Sequence, residues 1–219
     1  MFNFRVKILD CIFTITFPFM VIITGLLLVD NNYAILQGGF AALIHELGHI
    51  FAMILRSCKP KEIQFRAFDI NIIDEKESVR TYRDDIFILL AGPMFNILFS
   101  GLFYFIYSIS GNKTFLFSVS ENIFLAVFNM LPIESLDGGQ ILNSILSIKF
   151  KVKTVYLLTT AVSFIVILPI FALGFYILLR SKYNFSLLLL SCYLMSILVL
   201  KHSKVDIYRL KFSINKKEK

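Results

Sequence analysis

What most limits the folding of this chain is a series of long stretches almost free of charge. Residues 11–29, 86–112, 154–179 and 183–200 contain no Asp, Glu, Lys or Arg. Residues 31–55 carry only His45, Glu46 and His49 as ionisable side chains, and 114–133 carry one acid, Glu121. A helix crossing the ~30 Å hydrocarbon core of a bilayer needs about 20 mostly apolar residues, each adding ~1.5 Å. Six stretches meet that requirement. A soluble domain is about 45–50% apolar with about a quarter of its residues charged. Here 57% of 219 residues are hydrophobic and 17% are charged, which excludes a disordered chain and a collagen. A chain this short has too little interior to hide the excess, so lipid is the expected solvent. The three cysteines, Cys11, Cys58 and Cys192, are odd in number and widely spaced. They make neither a disulfide framework nor a CxxC metal pattern, and are read as reduced thiols.

The basic balance, +7 net, acquires a meaning once the stretches are placed. With a cytoplasmic N-terminus, segments 1–10, 56–85, 149–153 and 201–219 face inward and hold 19 of the 22 Lys and Arg residues. Lys113, Arg180 and Lys182 remain outside. This asymmetry follows the positive-inside rule and points away from nucleic acid as a partner. The first stretch lacks a small-residue cleavage site and is read as a retained helix. The expected fold is an all-α polytopic membrane protein of about six transmembrane helices. Its spans are about 11–29, 33–55, 86–110, 114–133, 154–179 and 183–200, and a short basic cytoplasmic tail follows over 201–219.

Two stretches are not spans. Residues 61–73 alternate apolar with polar and slip in period near Ala67, which predicts a short β-like hairpin or bulged strand between the second and third helices. Residues 135–148 predict a turn at Asp137-Gly138-Gly139 followed by a short amphipathic helix.

The chemistry sits in the second span, as His45-Glu46-Leu47-Gly48-His49. Positions i and i+4 share one face of a helix, so both imidazoles can bind one metal ion. Glu46, one residue along, can reach a water on that ion. This is the HExxH pattern, whose usual chemistry is zinc-assisted peptide hydrolysis with Glu as general base. Ionisable groups within a bilayer are costly and mark function by default. A catalytic zinc takes three protein ligands and keeps a position for water, so a third ligand is needed. Glu62 and Asp69 fall in the loop after the second span, and His202 lies in the basic tail. Asp137 is the better candidate, because it follows the fourth span on the side of Lys149, Lys151 and Lys153, and two glycines after it can let the carboxylate turn inward. His45 lies eleven residues before Arg56, or about 16 Å of helix, so the site is expected toward the cytoplasmic half.

These residues resemble a family. HELGH at 45–49, AGPMFN at 91–96 and NMLPIESLDGG at 129–139 are similar, in kind and order, to three signatures of the site-2 proteases, intramembrane zinc metalloproteases that cut membrane-bound substrates. The resemblance extends over about 11–200 and is greatest to the branch containing the stage IV sporulation factor protease, which processes a membrane-tethered sigma-factor precursor. Another branch degrades anti-sigma factors. The resemblance implies one Zn2+ per chain held by His45, His49 and Asp137, and Glu46 as the catalytic base. It implies substrate contacts at Asn129 and Asn96, although each Asn could equally bridge helices by hydrogen bonding. Ala91, Gly92 and Pro93 read as packing residues. The implied partners are a membrane-bound protein substrate and a regulatory membrane protein. The chain departs from the branch in having too few residues after 200 for a nucleotide-sensing domain, no room for a PDZ insertion, and a charge at Glu134, read as exposed at the membrane edge. The alternative is a non-proteolytic membrane zinc-binding protein or a pseudoprotease scaffold, neither of which needs Glu46.

Overall fold

The computed structural model describes residues 3–8, 11–29, 34–58, 60–65, 70–74, 81–181 and 184–215. The chain divides into two compact units, Met1–Met130 and Leu131–Lys219.

The first unit opens with a hairpin of β1 (Asn3–Ile8) and β2 (Cys11–Thr16), continues into α1 (Phe17–Val29) and α2 (Ala34–Leu55), and returns through β3 (Pro60–Phe65) and β4 (Ile70–Asp74). The strands form one sheet in the order β1-β2-β3-β4. β2 and β3 are parallel, and the outer pairs are antiparallel. The hairpin expected over 61–73 is present as β3 and β4, with a register shift between Pro60 and Glu62. Ala67, where the alternation slips, lies outside the described residues.

The first expected span is corrected. Residues 11–16 are strand, and the helix that follows has 13 residues, or about 20 Å. The reason is that CIFTIT is rich in β-branched residues and has partners on both sides. Thr14 Oγ1 donates to Glu62 Oε1 at 2.6 Å, and Thr16 Oγ1 donates to the Phe65 carbonyl at 2.9 Å.

α3 (Tyr82–Ser110) and α4 (Lys113–Asn129) complete the unit. Thr81 caps α3 by accepting from the Asp84 N–H at 3.2 Å. Gly111 ends α3 at φ 64, a left-handed turn that suits a residue without Cβ. Asn112 then caps α4 by accepting from the Thr114 N–H at 3.0 Å. Arg56, just past α2, reaches Asp84 Oδ1 at 3.3 Å and lies over the Phe87 ring, tying the end of α2 to the start of α3.

The second unit holds α5 (Asp137–Ser147), α6 (Val152–Ser181) and α7 (Ser186–Asn215). α5 is the short helix expected over 135–148. The tail expected from 201 onward is helical through Asn215, as a continuation of α7.

The burial pattern is inverted relative to a water-soluble protein. On α2, Phe40, Leu43, Leu47, Phe51 and Ile54 are exposed, whereas His45, Gly48, His49 and Ala52 are buried. On α3, Met94, Ile97, Leu98 and Phe105 are exposed around buried Gly92, Asn96 and Ser100. α6 buries Thr159, Thr160 and Ser163 and exposes Leu157, Ile165 and Leu168. Small and polar residues mediate contacts between helices while large apolar ones face outward, as expected where the solvent is hydrocarbon. Ile35–Leu55, Tyr82–Ser110 and Val152–Ser181 are long and apolar enough to cross a membrane. α1, α4 and the apolar part of α7, Ser186–Leu200, are shorter. The chain is a predominantly helical multi-pass membrane protein carrying a small sheet.

Candidate metal centre

In the first unit, α2 presents His45 and His49 on its buried face, at 5% and 8% exposure, with Glu46 half-buried beside them. Each imidazole is held through its Nδ1. His49 Nδ1 lies 2.8 Å from the Ile88 carbonyl, which can only accept, so this nitrogen carries the proton. His45 Nδ1 lies 2.7 Å from Asn96 Oδ1. The Asn96 amide is oriented by its other end, where Nδ2 donates to the Ala41 carbonyl at 3.0 Å and to Asn122 Oδ1 at 2.9 Å. Its oxygen therefore accepts, and His45 Nδ1 carries the proton as well.

With the protons on Nδ1, each Nε2 offers a lone pair, and the two Nε2 atoms lie 3.1 Å apart. A direct N–H···N bond would require a second proton on one ring. Two nitrogens bound to one tetrahedral zinc at ~2.05 Å would stand about 3.3 Å apart. The pair thus fits two ligands of one cation, with both outer nitrogens engaged as metal-binding histidines usually have them.

The third helix is shaped to this pair. A Cβ at Gly92 would lie 2.5 Å from His49 Nε2 and 2.9 Å from His45 Cε1. One at Gly48 would lie 2.6 Å from the Ala91 carbonyl oxygen. Gly92 is therefore the close-approach point for the imidazoles, and the Ala91 backbone for Gly48. Pro93 leaves the Leu89 carbonyl without its helical N–H, and the carbonyl turned toward His49 is its neighbour, Ile88.

Asn96 is corrected as a substrate contact. It is fully buried, and its oxygen and both amide hydrogens are engaged by His45, Ala41 and Asn122. No donor remains for a substrate, and the helix-bridging alternative describes it. Asn122 was not identified from the sequence, although an uncharged polar residue in an apolar span was a signal of it. Asn129 closes α4, half-buried, with Nδ2 donating to the Leu125 carbonyl at 3.2 Å.

In the second unit, Asp137 is the first residue of α5 and is 8% exposed. Its N-cap, Leu136, offers no side-chain oxygen, so the positive end of the helix is left to the Asp137 carboxylate. A Cβ at Gly139 would overlap the Ile133 carbonyl, so only glycine lets the 131–136 turn close over α5. That turn is pinned by Ser163, whose Oγ accepts the Glu134 N–H at 2.9 Å and donates to the Thr159 carbonyl at 2.8 Å. Glu134, expected at an exposed edge, is buried; the closure of this turn onto α6 covers it.

Of the other ligand candidates, Glu62 accepts from Thr14 and from Gln64 Nε2, at 2.6 and 2.9 Å, on the sheet. Asp69 lies outside the described residues, as does the side chain of His202.

The chain is similar to known proteins in part of its sequence and in its fold. The profile of peptidase family M50 matches residues 112–173, a stretch containing Asn129 and Asp137 but not the paired histidines. Over 140 residues the chain is 31% identical to stage IV sporulation protein FB of Bacillus subtilis (strain 168), covering 62% of this chain and 49% of that protein. It thus spans about half the length of this curated relative. The site-2 protease from Methanocaldococcus jannaschii has a similar fold, with a TM-score of 0.64 at 20% identity over 88% of this chain and 92% of that one. The chain thus shares the fold of a site-2 protease and, over its third motif, resembles peptidase family M50.

Proposed function

We propose that this chain is an intramembrane zinc metalloprotease whose ion is held by His45, His49 and Asp137. The observation that carries the proposal is the pair of buried imidazoles whose Nε2 atoms face each other at 3.1 Å while each Nδ1 is held by an accepting oxygen. Two imidazole nitrogens and a carboxylate oxygen are a hard-to-borderline donor set of the kind that holds a catalytic zinc. Zinc bound there supplies a Lewis acid that lowers the pKa of water toward ~7 and polarises the scissile carbonyl.

The residues of the chain do the rest. Glu46, next to His45 on the same helix, accepts the water's proton and returns it to the leaving amine. Asn129 contacts the substrate. A substrate helix hides its carbonyls in its own hydrogen bonds and must be extended before it is cut. The sheet offers a template for an extended strand. β3 lies between β2 and β4, so Phe65 is not on a free edge; the edge that remains within 61–73 is β4. The substrate is a membrane-embedded or membrane-tethered protein. The name of the Bacillus relative points to a sporulation setting, and the family resemblance to a sigma-factor precursor or an anti-sigma factor. A regulatory membrane protein is the expected further partner. The N-terminus and the active site lie toward the cytoplasm.

Glu46→Gln decides between this reading and a zinc-binding protein without proteolytic activity. The variant is expected to retain zinc, measured by metal analysis of purified protein, and to lose cleavage by at least about 100-fold. Membrane proteins that accumulate in cells carrying it identify the substrate. Cleavage at the wild-type rate by Glu46→Gln would overturn the proposal.

A further inference from the structure

We infer that Asn122 on α4 is a positioning residue that sets the tautomer of His45 through Asn96. The inference rests on the reading of His45 as a metal ligand.

The argument concerns polarity. A side-chain amide can sit in its site in two ways, exchanging oxygen for nitrogen at little steric cost. Asn96 Oδ1 faces His45 Nδ1 only if the amide is held in one of them. Two backbone carbonyls provide anchors that cannot donate. The Ala41 carbonyl takes one hydrogen of Asn96 Nδ2 at 3.0 Å. The Ser118 carbonyl takes a hydrogen of Asn122 Nδ2 at 2.8 Å, which turns Asn122 Oδ1 toward Asn96. That oxygen takes the second Asn96 hydrogen at 2.9 Å. The chain of bonds therefore runs in one direction, from His45 Nδ1–H to Asn96 Oδ1, then from Asn96 Nδ2–H to Asn122 Oδ1, then from Asn122 Nδ2–H to the Ser118 carbonyl.

Its outcome is a proton on Nδ1 and a lone pair on Nε2, the form an imidazole needs to bind a metal through Nε2. Asn96 and Asn122 are 0% and 1% exposed. Water does not compete at these sites, and a reversed amide would leave oxygens facing oxygens, buried acceptors without a donor. A bridge between helices alone would be met by the bond from Asn96 to Ala41. The further bond to Asn122 is what settles the second hydrogen.

The test uses the full chain in nanodiscs, 15N-labelled at histidine and stripped of zinc. In the wild type, the His45 ring is expected to give the nitrogen shifts of the Nδ1–H tautomer. Asn122→Leu leaves Asn96 held by the Ala41 carbonyl alone, and should add a minor Nε2–H population and weaken zinc binding about fivefold, with Asn96→Leu about 10- to 100-fold. In an Asn96→Leu background, Asn122→Leu should cost no further zinc affinity, because its effect passes through Asn96. A purely structural Asn122 would instead add its cost in both backgrounds. An unchanged tautomer with zinc affinity within twofold in Asn122→Leu would overturn the inference. If that variant does not fold, the wild-type spectrum decides, since a proton on His45 Nε2 overturns it as well. Failure of the wild type to bind zinc would refute the proposed function and leave the tautomer result readable by itself.

Discussion

At the scale of single residues, the site depends as much on atoms that are missing as on those present. Gly92 is the sharpest case, since a methyl there would meet both imidazoles within 3 Å. The neighbouring groups are two rings already fixed by hydrogen bonds to Asn96 and Ile88, so neither can yield. Gly92→Ala is expected to abolish zinc binding while leaving the protein inserted and helical, as checked by metal content and circular dichroism. Gly139→Ala meets a backbone carbonyl, which yields less than a side chain. It should destabilise the second unit by more than about 2 kcal/mol, read as increased proteolysis around α5. HELGH was legible in the sequence because its chemistry and helical spacing are local. Asn122 was not, because its partner Asn96 is 26 positions away and nothing in the sequence pairs them.

At the scale of elements, the sequence was clearest where periodicity was long. α2, α3 and α6 fall where the uncharged stretches end. The β1-β2 hairpin was obscured by its position, because CIFTIT runs directly into an apolar helix and reads as one stretch with it. NFRVKI does alternate in sequence, apolar at positions 4, 6 and 8, but six residues with two charges are weak as an isolated signal. Pairing of β2 with β3, fifty positions away, makes CIFTIT a strand, and β1 is a strand because it pairs with β2. If β4 is the docking edge, proline placed in turn at Asn71 and Ile72 should separate two effects, since successive N–H groups of a strand point to opposite sides. One substitution removes a bond to β3 and loosens the sheet. The other removes only an outward donor and should lower cleavage without lowering the melting temperature. Equal cleavage in both variants would exclude β4. Burial, together with the Glu62 carboxylate, pushes the Cys11 thiol above its usual range. In a protein lacking the other two cysteines, alkylation at pH 8 should therefore be slower than for a free thiol and should rise as pH increases.

At the scale of the whole molecule, the distribution of charge predicts an orientation. Alkaline phosphatase fused at Asn112 should be active, and at Lys151 inactive, with the reverse for a fluorescent reporter that matures only in the cytoplasm. The opposite result would invert the proposed topology. Metal and folding should also be linked. Removing zinc with a chelator should lower the melting temperature, and zinc at 100 times its dissociation constant should restore about 2.7 kcal/mol.

The sequence by itself determined that this chain belongs in lipid, because an excess of apolar residues has no other place to go, and that it carries a helical HExxH pair, because i and i+4 meet on any α-helix. Tertiary structure decided which nitrogen of each imidazole is held by an accepting oxygen. That choice depends on carbonyls and amides brought from α3 and α4, and a hydrogen bond between residues far apart in sequence exists only once the helices that carry them have packed.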